Sequence, residues 1–186
     1  MTTHVSLASR CLAGCAALVL VATTFVPLAA SNQGRARHRE RDTVWVANRD
    51  QGTVMVFDAS TGKPAIPAPI VVGPGVHDIV ASPRTATVFI SDDASRVYVM
   101  STRTREVVDT IEFTPSSRPH HLSLSHDGKT VWVGLFSSNR VAKIDTRTHA
   151  VSEFASSLQA GVTAHAPEPS PDDRFVFVPH EGQNLV

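Results

Sequence analysis

A chain of 186 residues with 42% hydrophobic content and 17 basic against 17 acidic residues is sized for one domain or two small ones. Its balanced charge offers no basic footprint, so nucleic acid is not an expected partner. Both cysteines, Cys11 and Cys15, fall near the N-terminus, which leaves the rest of the chain without disulfides or thiolate chemistry.

The first expected element is an export signal over residues 1–30. Arg10 closes a short basic region, and "CLAGCAALVLVATTFVPLAA", residues 11–30, carries no charge. The small residues Ala29 and Ala30 suit cleavage before Ser31. The apolar run is long enough to serve as an uncleaved anchor instead; Pro27 and the small-residue end favour cleavage. The expected location is therefore secreted or periplasmic, with membrane contact only through this leader. Residues 31–42, "SNQGRARHRERD", are polar, Arg-rich and without apolar period, and read as a disordered basic linker.

From residue 43 onward the chain repeats itself. "TVWVAN" at 43–48 returns as "TVFISD" at 87–92, "TVWVGL" at 130–135 and "FVFVPH" at 175–180. Units restart near residues 43, 87, 130 and 175. A second run follows each: "TVMVFD" from Thr53, "RVYVMS" from Arg96, "RVAKID" from Arg140 and "NLV" from Asn184. Within a unit, "HDIVASP" or "HHLSLSHDG" supplies a first strand, and Asp127-Gly128 is the clearest hairpin turn in the chain. Asp58 and Asp145 suit Asx-turns after the third strand, and Ser101 suits a weaker one. "VVDTIEF" at 107–113 reads as a fourth strand.

Four antiparallel strands per unit of about 44 residues indicate an all-β chain built as a β-propeller. "VWV" and "VFI" are apolar on both faces, as expected where each sheet is packed between two others. About three and a half blades fit between residues 43 and 186. The expectation is a truncated piece of a longer protein. The alternative is an arc that self-associates through its open blade faces, since repeat arrays need polar caps.

Pro119-His120, Ser125 with Asp127-Gly128, "VWVAN" at 44–48 and "KIDT" at 143–146 resemble the YVTN-repeat (YncE-like) family of β-propellers. The resemblance covers residues 43–186. It implies the fold, with a ring of seven blades that at about 44 residues each needs on the order of 300 residues, and it leaves function open, because one fold hosts many functions.

Strand order places the candidate site residues on one rim. His77, His120, His121 and His165 lie where the chain leads into first strands. Asp92, Asp93 and His180 lie between second and third strands. His77, His120 and His165 each precede the matching strand residue, Ile90, Val133 or Val178, by the same interval, so they are repeat equivalents. His121 and His180 fall outside the repeat and are the better candidates for a specific role. His121 sits where the other units have Asp78 and Ala166.

The expected function is an exported, non-catalytic propeller binding a protein or small ligand on this top face, with no catalytic residue and no cofactor assigned. The alternative is a metal-binding enzyme or electron-transfer accessory, lactonase-like or copper-site-like. Neutral imidazoles from His77, His120 and His165 would then hold zinc, copper or another divalent metal, with Asp92 and Asp93 alongside. Pro167, Pro169 and Pro171 in the fourth first strand suit an edge that lines the central channel.

Overall fold

A computed structural model describes residues 42–115, 117–157 and 163–181. The expected leader, all but the last residue of the linker, and the run from Asn184 lie outside these.

The first sheet joins β1 (Thr43–Asn48), β2 (Thr53–Asp58) and β3 (Ile70–Val71) in that order. The second runs β4 (Val76–Ser82), β5 (Thr87–Asp92), β6 (Arg96–Ser101) and β7 (Val107–Glu112). The third runs β8 (Pro119–Leu124), β9 (Thr130–Leu135), β10 (Arg140–Asp145) and β11 (Val151–Ala155). The fourth is one hairpin held by two short ladders. β12 (Thr163–Ala164) pairs with β15 (His180–Glu181), and β13 (Glu168–Pro169) pairs with β14 (Val176–Phe177). Every pairing is antiparallel, and the second and third sheets reproduce the four-stranded unit read from the sequence. No helix occurs among the described residues.

The turns form by the expected chemistry. Asp58 Oδ1 accepts the Ser60 and Thr61 amides at 3.0 and 2.9 Å. Asp145 Oδ1 accepts those of Arg147 and Thr148 at 3.0 and 2.7 Å. Ser101 Oγ makes the longer pair, 3.3 and 3.1 Å, to Arg103 and Thr104. Gly128 takes φ +71°, a left-handed conformation that glycine reaches without strain. Asp173 holds the matching position in the next unit at φ +56°. Its carboxylate also accepts the His126 and Asp127 amides of the third sheet at 2.8 Å each, tying two neighbouring turns together.

The core lies in the seams between sheets. Val54, Val76, Val88, Ile90, Tyr98 and Met100 fill the first seam, with Trp45 and Ala47 against them. Phe89, Val97, Val99, Leu122, Val131 and Val133 belong to the second. β5 is buried along its whole length because Val88 and Ile90 face one seam and Phe89 the other. In β1 only one face is covered, and Val44 is 49% exposed. Phe175 and Phe177 of the fourth sheet are 58% and 53% exposed.

The proline run behaves as its chemistry requires. Ser170 N–H donates to Phe175 O at 2.9 Å. Alternation along the strand therefore turns the N positions of Pro169 and Pro171 away from β14, where no ladder bond is lost. Pro167 O accepts from Ser123 Oγ of the preceding sheet at 2.5 Å.

Candidate functional site

The first strands of the second and third sheets each carry an irregularity at the histidine. In the second sheet, Val76 pairs with Asp92 and Ile79 with Ile90, so His77 and Asp78 together oppose Ser91. In the third, Pro119 pairs with Leu135 and Leu122 with Val133, so His120 and His121 together oppose Gly134. This two-against-one count is a β-bulge, which breaks the usual alternation and re-aims side chains. It explains how adjacent residues, which should face opposite ways, bring their rings together. The His120 and His121 centroids are 4.5 Å apart.

Across the seams the rings form one group. His77 lies 3.8 Å from His120 and 5.2 Å from His121. His165 lies 5.2 Å from His120 and 4.6 Å from His121. Phe136 stacks on His120 at 4.7 Å and 25°, and the Arg118 guanidinium lies 4.9 Å from the Phe136 centroid. The three repeat-equivalent histidines thus meet, and His121 joins them.

The carboxylates divide by role. Asp78 Oδ2 accepts the Leu122 amide at 2.8 Å and lies 3.3 Å from His121 Nδ1, both across the seam. Asp93 pairs with Arg49 and, at 3.4 Å, with Arg118, and it lies 3.9 Å from His120 Nε2. Asp92 is fully buried and accepts the amides of Ala94, Ser95 and Arg96 together with Arg96 Nε. It holds the loop and does not reach the ring group. His180 is also apart. It is buried, its Nε2 lies 2.9 Å from Ser156 Oγ, and its Nδ1 has no hydrogen-bond partner among the described residues. Among those residues it is a hydroxyl–imidazole pair without the carboxylate that would orient a catalytic base.

The sheet-on-sheet architecture recurs in solved structures. Hydrazine synthase of Kuenenia stuttgartiensis matches at 20% identity and TM-score 0.63, over 73% of this chain and 38% of that one. A Lactobacillus plantarum protein matches at 23% identity and TM-score 0.59, over 75% of this chain and 48% of that one. Dihydro-heme d1 dehydrogenase NirN in complex with DHE matches at 18% and 0.62, over 76% and 31%. This chain has a β-propeller fold. It spans less than half of each of these structures. No family model and no curated protein matches it.

Charge on His77 and His120 is disfavoured. Burial, then the neighbouring imidazoles of His77, His121 and His165, then Arg118, lower the His120 pKa from its ordinary 6.5 to about 3. Burial, His121 and Arg49 lower that of His77 as well, against a smaller opposing effect of Asp78. Both rings are therefore neutral in the fold at pH values where an unfolded chain protonates them. The stability that this neutral state contributes is complete above about pH 6.5 and is lost as pH falls below it, for His120 toward about 3. Metal-free protein is expected to show a lower urea midpoint at pH 5 than at pH 7, with a smaller drop in His120→Gln. An unchanged or higher midpoint at pH 5 would contradict the buried, neutral state.

The sequence named all four rings but missed what surrounds them. Asp78 was visible as the residue holding the His121 position in the preceding unit. Placing equivalent positions of adjacent blades side by side would have paired the two. Arg49, Arg118 and Phe136 lie in loops with no periodic signal. Ser91 and Gly134 share a repeat position. Ser91 Oγ donates to His120 O at 2.5 Å and accepts from the Asp78 amide at 3.2 Å, while Gly134 lets the His165 backbone approach.

Proposed function

We propose that this chain is part of an exported, non-catalytic β-propeller of YVTN-repeat kinship that binds a small ligand or protein segment on its top face. The observation that carries this reading is the four-ring group drawn from three successive blades. His120 and His121 side chains are 12% and 35% exposed, so a ligand can reach them. Around them lie two guanidinium groups, Arg49 and Arg118, sharing one carboxylate, Asp93. Asp78 beside His121 balances the second arginine, so it is the aromatic ring faces with a guanidinium fork beside them, rather than net charge, that suit a compact aromatic carboxylate. Export rests on the uncharged run at 11–30 and its small-residue end.

Native mass spectrometry of protein recovered from the periplasm or medium tests the reading. The chain is expected to begin at Ser31. Offered a panel of aromatic carboxylates and hemes, it is expected to bind at least one compound at one per chain. The His120→Gln/His121→Gln variant should lose that adduct. Identical spectra for both proteins across the panel would sink the idea.

A second reading, a metal-holding propeller, is favoured by ring nitrogens of His77 and His120 that have no partner among the described residues.

A further inference from the structure

His77 Nε2 and His120 Nδ1 are buried with no hydrogen-bond partner among the described residues. Leaving a buried polar atom unpaired is destabilising, and here two such atoms sit on rings 3.8 Å apart. His121 is held differently. Its Nδ1 lies 3.3 Å from Asp78 Oδ2, a contact that favours the proton on Nδ1 and leaves the lone pair on Nε2. One ring nitrogen from each of His77, His120 and His121 lies within 4.8 Å of the others.

We propose that His77, His120 and His121 form a mononuclear site for a divalent transition-metal ion of the zinc–copper type, with Asp78 as a positioning residue. The inference rests on the top-face reading above and names an inorganic occupant for it. Three imidazole nitrogens set tetrahedrally at about 2.0–2.1 Å from an ion would stand roughly 3.3 Å apart. An all-nitrogen donor set selects zinc or copper over calcium and magnesium, which require oxygen. Asp93 is already paired with Arg49 and Arg118 and is not a ligand. Asp78 supplies the carboxylate that typically backs a metal-bound histidine. His165 packs against His121 and stands outside the ligand set. Three protein ligands leave a fourth position open, where an incoming ligand would bind.

The sequence-based metal set was His77, His120 and His165. The present set exchanges His165 for His121, and the bulge that brings His120 and His121 to one side is what makes the exchange geometrically available.

The full chain, stripped of metal by chelation, is titrated with Zn2+ against a chromophoric chelator and with Cu2+ under electron paramagnetic resonance. One ion per chain is expected, with three imidazole nitrogens coupled to copper and no uptake of Ca2+. His77→Gln, His120→Gln and His121→Gln should each weaken binding by about 100-fold or more, and Asp78→Asn by about 10–100-fold. His165→Gln should weaken it less than about tenfold. A loss in His165→Gln equal to that in His121→Gln would overturn the assignment. So would zinc uptake unchanged in the triple His→Gln variant, or fewer than three coupled nitrogens in the wild type, a readout independent of whether any variant folds. If no metal binds but a panel compound does, this inference falls and the top-face reading stands. If metal binds at these residues and no panel compound does, the inference stands without that reading's choice of ligand.

Discussion

Asp92→Ala is expected to lower unfolding free energy by about 3–5 kcal/mol, the range for removing one partner of a buried charged network. The Asp92 side chain has no solvent exposure. Its Oδ1 accepts three successive amides, from Ala94 at 3.0 Å and from Ser95 and Arg96 at 2.8 Å each, and Oδ2 accepts Arg96 Nε at 3.0 Å. Alanine would strand those amides inside a tight loop, where each unmet donor costs about 1–3 kcal/mol before water enters. Arg96 is one-third exposed, so the amides carry the larger share. Asp92→Asn keeps an acceptor oxygen and should lose about half as much. The loop also carries Asp93, whose amide donates to Gly75 O at 3.0 Å, so the alanine variant should loosen the carboxylate beside His120 as well. Urea titration followed by circular dichroism, with the exposed Asp50→Ala as control, measures the effect. A loss under about 1 kcal/mol would mean that the carboxylate does not hold the loop, and it would return Asp92 to the ligand-binding group.

Gly134→Val is expected to be the most disruptive single change at the site. A Cβ at position 134 would overlap the carbonyl oxygen of His165, and a backbone oxygen cannot rotate away as a side chain can. Overpacking of this kind costs typically about 1–3 kcal/mol and occasionally more. The backbone on both sides of this seam is held by hydrogen bonds, including His165 N–H to Pro179 O at 3.0 Å, so the upper end is expected. Relief would come by separating the fourth sheet from the third, which moves His165 away from His121. The readout is therefore double: a lower urea midpoint, and loss of His165 ring contacts in the imidazole proton spectrum. Gly134→Ala should show both effects more weakly. A valine variant with wild-type midpoint and unchanged imidazole resonances would show that the seam is not closed at this point.

The blade plan was legible because strand and turn chemistry is local. Repeated β-branched triplets mark the strands, and Asp58, Ser101, Asp127 and Asp145 mark the turns. Each acts on residues within a few positions of itself. The equivalence of His77, His120 and His165 followed from counting. What counting could not reach was the bulge, because an extra residue in one strand is defined only by the partner it opposes. His121 therefore looked like an outsider, although its ring joins the others through that bulge. Asp92 and Asp93 looked like a pair and are not. One is buried under three amides, and the other sits between two arginines from neighbouring loops, partners 44 and 25 residues away. Kinship with the YVTN-repeat family is not carried by the structural matches, which share the fold at 18–23% identity.

The histidine rings cross two seams, whereas ladder hydrogen bonds run within single sheets. A small change in the angle between neighbouring sheets would leave every ladder intact and still separate His77 from His120, now 3.8 Å apart, or His121 from His165, now 4.6 Å apart. The imidazole resonances, shifted by one another's ring currents, thereby act as an internal gauge of blade spacing. Any partner that tightens or splays the arc would register there before it registered in the strands.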